Sequence, residues 1–215
     1  MTAALDLFQD ALDSGDLWLR GPGGRRRLPV ERWRGQPSEA DETLLQRCAG
    51  PTLDVGCGPG RLVAALTRRG VPALGIDIAP AAVRSAQLAG AIALRRSVFG
   101  RVPGSGRWPF ALLADGNLGI GGDPAGLLGR VAALVRVPVG VVLVEVDPPG
   151  SAGGTEAVRL EDGTGRVSAP FLWARVGLDG LARVAARAGL QVTDHWDSQG
   201  RTFAAMSARF ARSRA

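Results

Sequence analysis

Few folds accommodate the segment Leu53-Asp54-Val55-Gly56-Cys57-Gly58-Pro59-Gly60. An apolar stretch with strand character runs into three alternating glycines, and a helical pattern, Leu62-Val63-Ala64-Ala65-Leu66, follows at once. Glycine admits the tight turn this requires and lets a ligand approach the backbone with no Cβ in the way. The helix behind the turn offers unpaired N–H groups and a partial positive charge, so a phosphate or carboxylate suits the site. A buried strand that hands over directly to a helix is the opening of a βα repeat.

The same beat continues downstream. Strand patterns at 52–55, 73–76, 91–94, 110–113 and 139–146 alternate with helix patterns at 62–69, 80–88 and 124–135. Pro80 and Asp123-Pro124 mark helix starts, because proline at the first helical position gives up only an N–H that would be unpaired anyway. Near-continuous apolar strands alternating with helices predict a parallel sheet covered on both faces. A helix at 178–188 is followed by strands at 190–196 and 202–208, whose short connection Asp197-Ser198-Gln199-Gly200-Arg201 makes that pair antiparallel. Residues 156–160 and 166–169 flank Glu161-Asp162-Gly163-Thr164-Gly165 and read as a hairpin.

Before residue 51 the pattern is different. Leu5, Phe8 and Leu12 predict a helix stopped by Ser14-Gly15, residues 17–20 and 27–30 a short hairpin, and Ser38 with Asp41 a capped helix start. The expected organisation is an N-terminal helical and hairpin cap over 1–50 and an α/β domain over 51–215, with a hairpin insertion at about 151–175.

The chain has 215 residues, 46% of them apolar, which suffices for one large α/β core. No apolar run approaches the ~20 residues of a membrane span. Met1-Thr2-Ala3-Ala4-Leu5-Asp6 has no basic segment leading into an apolar one, so the expectation is a cytoplasmic chain without a membrane partner. The two cysteines, Cys48 and Cys57, make no disulfide framework, and no Cys/His cluster points to a metal. The net charge is +6, and every basic residue other than the single histidine is arginine. Arg25-Arg26-Arg27 and the tail Arg209, Arg212 and Arg214 raise nucleic acid as a partner, but no recognition motif accompanies them and a solvated surface is expected.

The glycine spacing separates ligand classes. A dinucleotide turn reads Gly-x-Gly-x-x-Gly, whereas here Arg61 stands where its third glycine belongs. A phosphate-binding loop ending in Gly-Lys-Ser/Thr is excluded, because the chain has no lysine. Asp54-x-Gly56-x-Gly58-x-Gly60 resembles motif I of class I S-adenosylmethionine (SAM)-dependent methyltransferases. The resemblance covers residues 50–148 well, and the closing helix and antiparallel pair fit the family's last strands. It implies a seven-stranded, mostly parallel sheet with helices on both faces and an antiparallel last strand, a three-layer αβα arrangement. It further implies that Asp54, Gly56, Cys57, Gly58, Pro59 and Gly60 hold the methionine end of SAM. Asp77, ending Gly75-Ile76-Asp77-Ile78, is similar to the family acid that binds both ribose hydroxyls, and Ile78 would flank the adenine. Many members carry an acid after the third strand for the adenine amino group. This chain departs with Ser97, followed by Val98, and that contact would fall to serine and backbone.

The chemistry is expected beyond the carboxyl ends of the strands. There the run Ala114-Asp115-Gly116-Asn117-Leu118-Gly119-Ile120-Gly121-Gly122-Asp123-Pro124 resembles the family segment that faces the methyl group. Asp115 and Asn117 are the candidates for contact with SAM or acceptor, and Asp123 reads as a helix cap. Glu145 and Asp147 share one side of their strand. Phe171 with Trp173 and Trp18 with Trp33 are candidate walls, each tryptophan being also an ordinary core residue. His195, the single histidine, reads as structural, with a role as base the alternative.

The expected activity is methyl transfer from SAM to a small-molecule acceptor. The alternatives are a SAM-binding module without transfer and an RNA methyltransferase. Against the latter, no Asn/Asp-Pro-Pro-Tyr/Phe follows the fourth strand.

Overall fold

The computed structural model describes residues 3–209. Helix α1 (Ala4–Ser14) is stopped by Gly15 in the left-handed conformation and leads into strands β1 (Leu17–Gly21) and β2 (Gly24–Arg27). Two short helices follow, α2 (Val30–Arg34) and α3 (Glu39–Leu45). The hairpin is therefore tighter than its sequence pattern predicts: Leu28-Pro29 leaves the sheet, and Val30 starts a helix. Proline lacks the N–H that a ladder would use. Ser38 and Asp41 form the expected capping box of α3.

The α/β repeat then runs β3 (Thr52–Val55), α4 (Arg61–Arg68), β4 (Ala73–Asp77), α5 (Pro80–Leu88), β5 (Ala93–Arg95), β6 (Phe110–Leu113), a 3-10 helix (Asn117–Gly122), α6 (Pro124–Ala132) and β7 (Val141–Val146). Strands β8 (Gly154–Asp162) and β9 (Phe171–Arg175) precede α7 (Leu178–Arg187), β10 (Leu190–Ser198) and β11 (Arg201–Ala208). Asp123 caps α6 by accepting from the Gly126 N–H.

Seven strands make one sheet in the order β10-β11-β7-β6-β3-β4-β5. Strands β5, β4, β3, β6 and β7 are mutually parallel, and β11 runs antiparallel to both its neighbours. Side-chain alternation divides the strands between two cores. Leu53, Val55 and Ile76 meet α6 and α7 through Leu127, Leu128, Leu181 and Ala185. Leu112, Leu143 and Phe203 point the other way, toward Leu44 of α3, Leu62 and Leu66 of α4 and Val83 of α5. The three layers follow.

A second sheet has the order β2-β1-β8-β9, joining the two strands nearest the start of the chain to the two that follow β7. Here the hairpin expected from residues 166–169 is corrected. Those residues make only a bridge, Glu161 to Val167, and the long partner of β8 is β9. Pro170 interrupts the pairing strand, and Ser168 turns its hydroxyl onto the Leu160 N–H. This sheet and α1 share a third core, Leu7, Leu12, Leu17 and Leu160, that docks on Ala82 of α5 and on Ala79 just before it. Among the described residues no helix is long and apolar enough to cross a membrane. Arg212 and Arg214 lie outside the described residues.

Candidate functional site

The chain starts the large sheet at β3, moves outward to β4 and β5, and returns to β6 on the other side of β3. That reversal opens a crevice at the carboxyl ends of β3 and β6, where open α/β sheets bind ligands. Asn117 bridges it: its Nδ2 donates to the carbonyls of Val55 (3.0 Å) and Gly56 (2.8 Å). The Asn117 amide therefore fastens the loop after β6 to the glycine turn.

Within the turn, Gly56, Gly58 and Gly60 all have positive φ. A Cβ on Gly60 would lie 2.5 Å from the Ala86 Cβ, so this glycine lets α4 pack against α5. A Cβ on Gly58 would meet nothing within 4 Å, and Gly58 and Pro59 face the cavity. The Cys57 thiol is buried over Gly75, and burial, then the nearby Asp54 and Asp77, pushes its pKa up, so it stays protonated. Asp77 at the end of β4 accepts from the Gly58 N–H (3.0 Å) and the Ala79 N–H (2.8 Å). Burial raises its carboxyl pKa, while the N–H groups of Ala79, Gly58 and Ile78 oppose that rise. The Ile78 side chain is 55% exposed and lines the cavity, as do Ser97 and Val98. The Ser97 hydroxyl accepts from the Phe99 N–H at 3.3 Å.

Asp54 lies on the α3–α4 side of β3, buried behind the turn and not among the cavity-lining residues. Burial first, then Asp115, Asp77 and Asp41 against Arg61, pushes its pKa up to about 7. Its neighbour Arg61 heads a network that no single segment announces. Arg61 Nη2 meets Asp41 at 2.8 Å and Nη1 meets Asp115 at 2.5 Å. Arg201 of β11 reaches Asp41 (2.8 Å) and Glu145 of β7 (2.7 Å), and Arg32 of α2 reaches Asp115 (3.1 Å). Burial alone would lower the pKa of Arg61; Asp115 and Asp41 more than offset it, and the guanidinium stays charged. Burial would likewise raise Asp41, yet Arg61, Arg201 and the Ser38 N–H hold it well below the carboxylate range.

Asp115 sits with φ +56, uncommon for a residue with a side chain, and its N–H donates to Glu145 Oε2 at 2.5 Å. Both Asp115 and Glu145 line the cavity. Sequence reasoning passed over Arg61, Arg201 and Arg32. One signal was available: an arginine at the first position of α4 faces the positive end of the helix dipole, which is unfavourable unless acids surround it.

The cavity measures about 850 Å³. Its floor is the glycine turn, Asp77, Asp115 and Glu145, and its roof comes from outside the α/β repeat: Phe8 of α1, Leu19 of β1, Trp33 of α2, Leu160 of β8 and Phe171 and Trp173 of β9. Trp18 does not line it; Arg25 stacks over that ring on the opposite face of the sheet, 4.1 Å from its centroid. Asp147 lines the cavity in an ion pair with Arg175 at 3.0 Å. His195 is exposed on β10, away from the cavity. Among the described residues no group of three His, Cys, Asp or Glu is placed to hold a metal.

Residues 53–99 match the family model of a methyltransferase domain. Among solved structures, a SAM-dependent methyltransferase from Bacteroides fragilis, in complex with S-adenosyl-L-homocysteine, superposes with a TM-score of 0.80 at 20% identity, covering 98% of each chain. A 1,6-didemethyltoxoflavin-N1-methyltransferase from Burkholderia thailandensis gives 0.58 at 20% identity, over 79% of this chain and 76% of that one. A sugar N-methyltransferase from Streptoalloteichus gives 0.61 at 17% identity, over 84% and 91%. The fold of this chain is that of the class I methyltransferases.

Proposed function

We propose that this chain is a SAM-dependent methyltransferase acting on a small organic acceptor. The observation that carries the reading is the pairing of Asp77 with Gly58 at 3.0 Å, across a turn that leaves Gly58 open to the cavity. An ionised carboxylate has about four lone-pair sites. Gly58 and Ala79 use two, which leaves Asp77 able to accept from two neighbouring ribose hydroxyls. The space beside Gly58 suits close approach of a ligand to the backbone, and the exposed Ile78 offers an apolar face to a flat base. The chain's residues thus fit the cofactor.

SAM supplies a methyl group already activated on a sulfonium, so the protein's task is mainly alignment. Asp77 and the turn fix the cofactor's position along the crevice. Asn117 locks the two strand ends together, and Arg61, Arg201 and Arg32 hold Asp115 and Glu145 at the floor. Phe8, Trp33 and Phe171 cover the opposite side and keep water out. The volume of about 850 Å³ lies high in the ~300–1,000 Å³ range of ligand pockets, which allows a second small molecule beside the cofactor. The small acceptors named for the Burkholderia and Streptoalloteichus proteins, 1,6-didemethyltoxoflavin and a sugar, agree with that size.

Calorimetry with SAM, S-adenosylhomocysteine and NAD tests the reading. The wild-type chain should bind the first two and not NAD, and Asp77→Ala should lose roughly 10- to 100-fold in affinity, as expected for lost charge-assisted hydrogen bonds. Binding of NAD alone, or of none of the three, would overturn it.

A further inference from the structure

The third core is closed on one side and open on the other. Leu7, Ala11 and Leu17 within it are fully buried. Leu5, Phe8, Leu19, Leu28, Trp33 and Phe171 pack against it but stay half-buried, and each of them lines the cavity. Strand β1 shows the division: Leu17 and Leu19 share a face, and only Leu19 reaches the cavity. Phe171 and Trp173 share a face of β9, and both line the cavity. Their rings meet edge to face with centroids 6.2 Å apart, and those of Phe8 and Trp33 lie 5.9 Å apart. Phe99 and Leu172, 55% and 57% exposed, carry the apolar lining out to solvent. Glycines leave room for them: a Cβ on Gly121 would lie 3.4 Å from the Phe99 ring, and one on Gly122 2.6 Å from the Leu172 Cβ.

Apolar side chains left uncovered forgo the free energy that burial gives the rest of the core. A contiguous apolar wall inside a cavity marks a ligand site. The cofactor does not account for this wall. Its expected contacts, the glycine turn, Asp77 and Ile78, belong to the α/β repeat, whereas Phe8, Leu19, Trp33 and Phe171 come from α1, β1, α2 and β9. The wall is left for the second molecule, the acceptor. The charges at the floor, meanwhile, answer one another: Asp115 pairs with Arg61 and Arg32, Glu145 with Arg201, and Asp147 with Arg175. Arg26 and Arg96 also line the cavity but are exposed to water, where an ion pair gains little. An ionic acceptor would give up hydration beside the apolar wall without meeting a free, buried counter-charge.

We propose that the methyl acceptor is an uncharged, largely apolar molecule with a flat aromatic ring system, bound with that ring among Phe8, Trp33, Phe171 and Trp173. The proposal rests on the methyltransferase reading. Aromatic walls prefer a flat aromatic occupant, because ring faces and edges attract one another beyond the area they bury.

The test uses the full chain saturated with S-adenosylhomocysteine, so that the cofactor end is filled, and titrated calorimetrically at pH 7 with 2-naphthol, decahydro-2-naphthol and 2-naphthoate. 2-Naphthol, uncharged at that pH, should bind roughly 2- to 10-fold tighter than its saturated analogue. It should bind roughly tenfold tighter than naphthoate. Phe171→Leu keeps an apolar side chain and removes a ring; it should still bind S-adenosylhomocysteine, which shows that it folds, and weaken 2-naphthol about threefold. Phe8→Leu, in the other ring pair, should do the same. Trp18→Leu, on the opposite face of the second sheet, should leave 2-naphthol binding unchanged. Equal or tighter binding of decahydro-2-naphthol or 2-naphthoate, no binding of 2-naphthol, or equal effects of the Trp18 and phenylalanine variants would each overturn the proposal. Absence of S-adenosylhomocysteine binding to the wild-type chain overturns the methyltransferase reading with it, whereas the other failures leave that reading standing.

Discussion

Replacing Arg61 with methionine keeps most of the side chain's length and removes its charge from a site where only 5% of the side chain is exposed. Two carboxylates lose a partner. Asp41, fully buried, retains Arg201 at 2.8 Å and the Ser38 N–H at 2.9 Å. Asp115 retains Arg32 at 3.1 Å and Arg201 at 3.5 Å. Breaking a buried ion pair from one side costs about 3–5 kcal/mol, because the other charge is left uncompensated. The surviving partners put this case at the low end, about 3 kcal/mol. At about 2–4 °C per kcal/mol for a chain of this size, the midpoint of thermal unfolding should fall by roughly 6–12 °C. Urea titration at pH 7.5 reads the same loss as a lower midpoint with an unchanged slope. Arg61→Met/Asp115→Asn should be less destabilised than the sum of its single variants by roughly 1–3 kcal/mol, since the second substitution removes a stranded charge. A loss below about 1 kcal/mol for Arg61→Met, or strict additivity in the double variant, would refute the claim that this network is a coupled, buried unit.

Asp54 should make stability fall as pH rises. Burial raises it to about 7, against about 3.9 in an unfolded chain, so between those values the native state holds a proton the unfolded state has lost. Asp54→Asn should flatten that slope and stabilise the protein at pH 8 by on the order of a few kcal/mol; urea titrations at pH 5, 6, 7 and 8 check this, and an unchanged slope would count against the burial argument. Two glycine variants should separate folding from binding. Gly60→Ala, whose Cβ would press on Ala86 at 2.5 Å, should cost about 2–4 kcal/mol of stability. Gly58→Ala, with open space around it, should cost only about 1–2 kcal/mol but weaken S-adenosylhomocysteine; equal stability losses in the two would contradict the assigned roles.

The parts of the site nearest to one another in sequence were the legible ones. β3, α5 and β6 fall where their patterns put them, and so do the turn of Gly56–Gly60 and the acid at the end of β4. Each rests on a local rule: apolar runs, proline at a helix start, glycine at positive φ. The second sheet was not legible. β1 pairs with β8 across more than 130 residues, Leu19 beside Leu160, and neither strand's pattern names its partner. The strand at Phe171–Arg175 was missed because Phe-Leu-Trp-Ala-Arg carries no apolar–polar alternation, and α2 because five residues carry little periodic signal.

The same division explains why the acceptor was harder to read than the cofactor. The cofactor end is made by consecutive residues, so its spacing is preserved in the sequence. The acceptor end is made by a meeting of α1, α2 and the second sheet with the floor of the large sheet, and its meaning lies in which charges are cancelled there. Asp115 read alone is an acid at a strand end, a candidate for contact with SAM or the acceptor. Placed between Arg61, Arg32 and Arg201, it is the shared partner of three guanidinium groups. The residues that reassign it lie 54 to 86 positions away in the chain, and only the fold brings them to it.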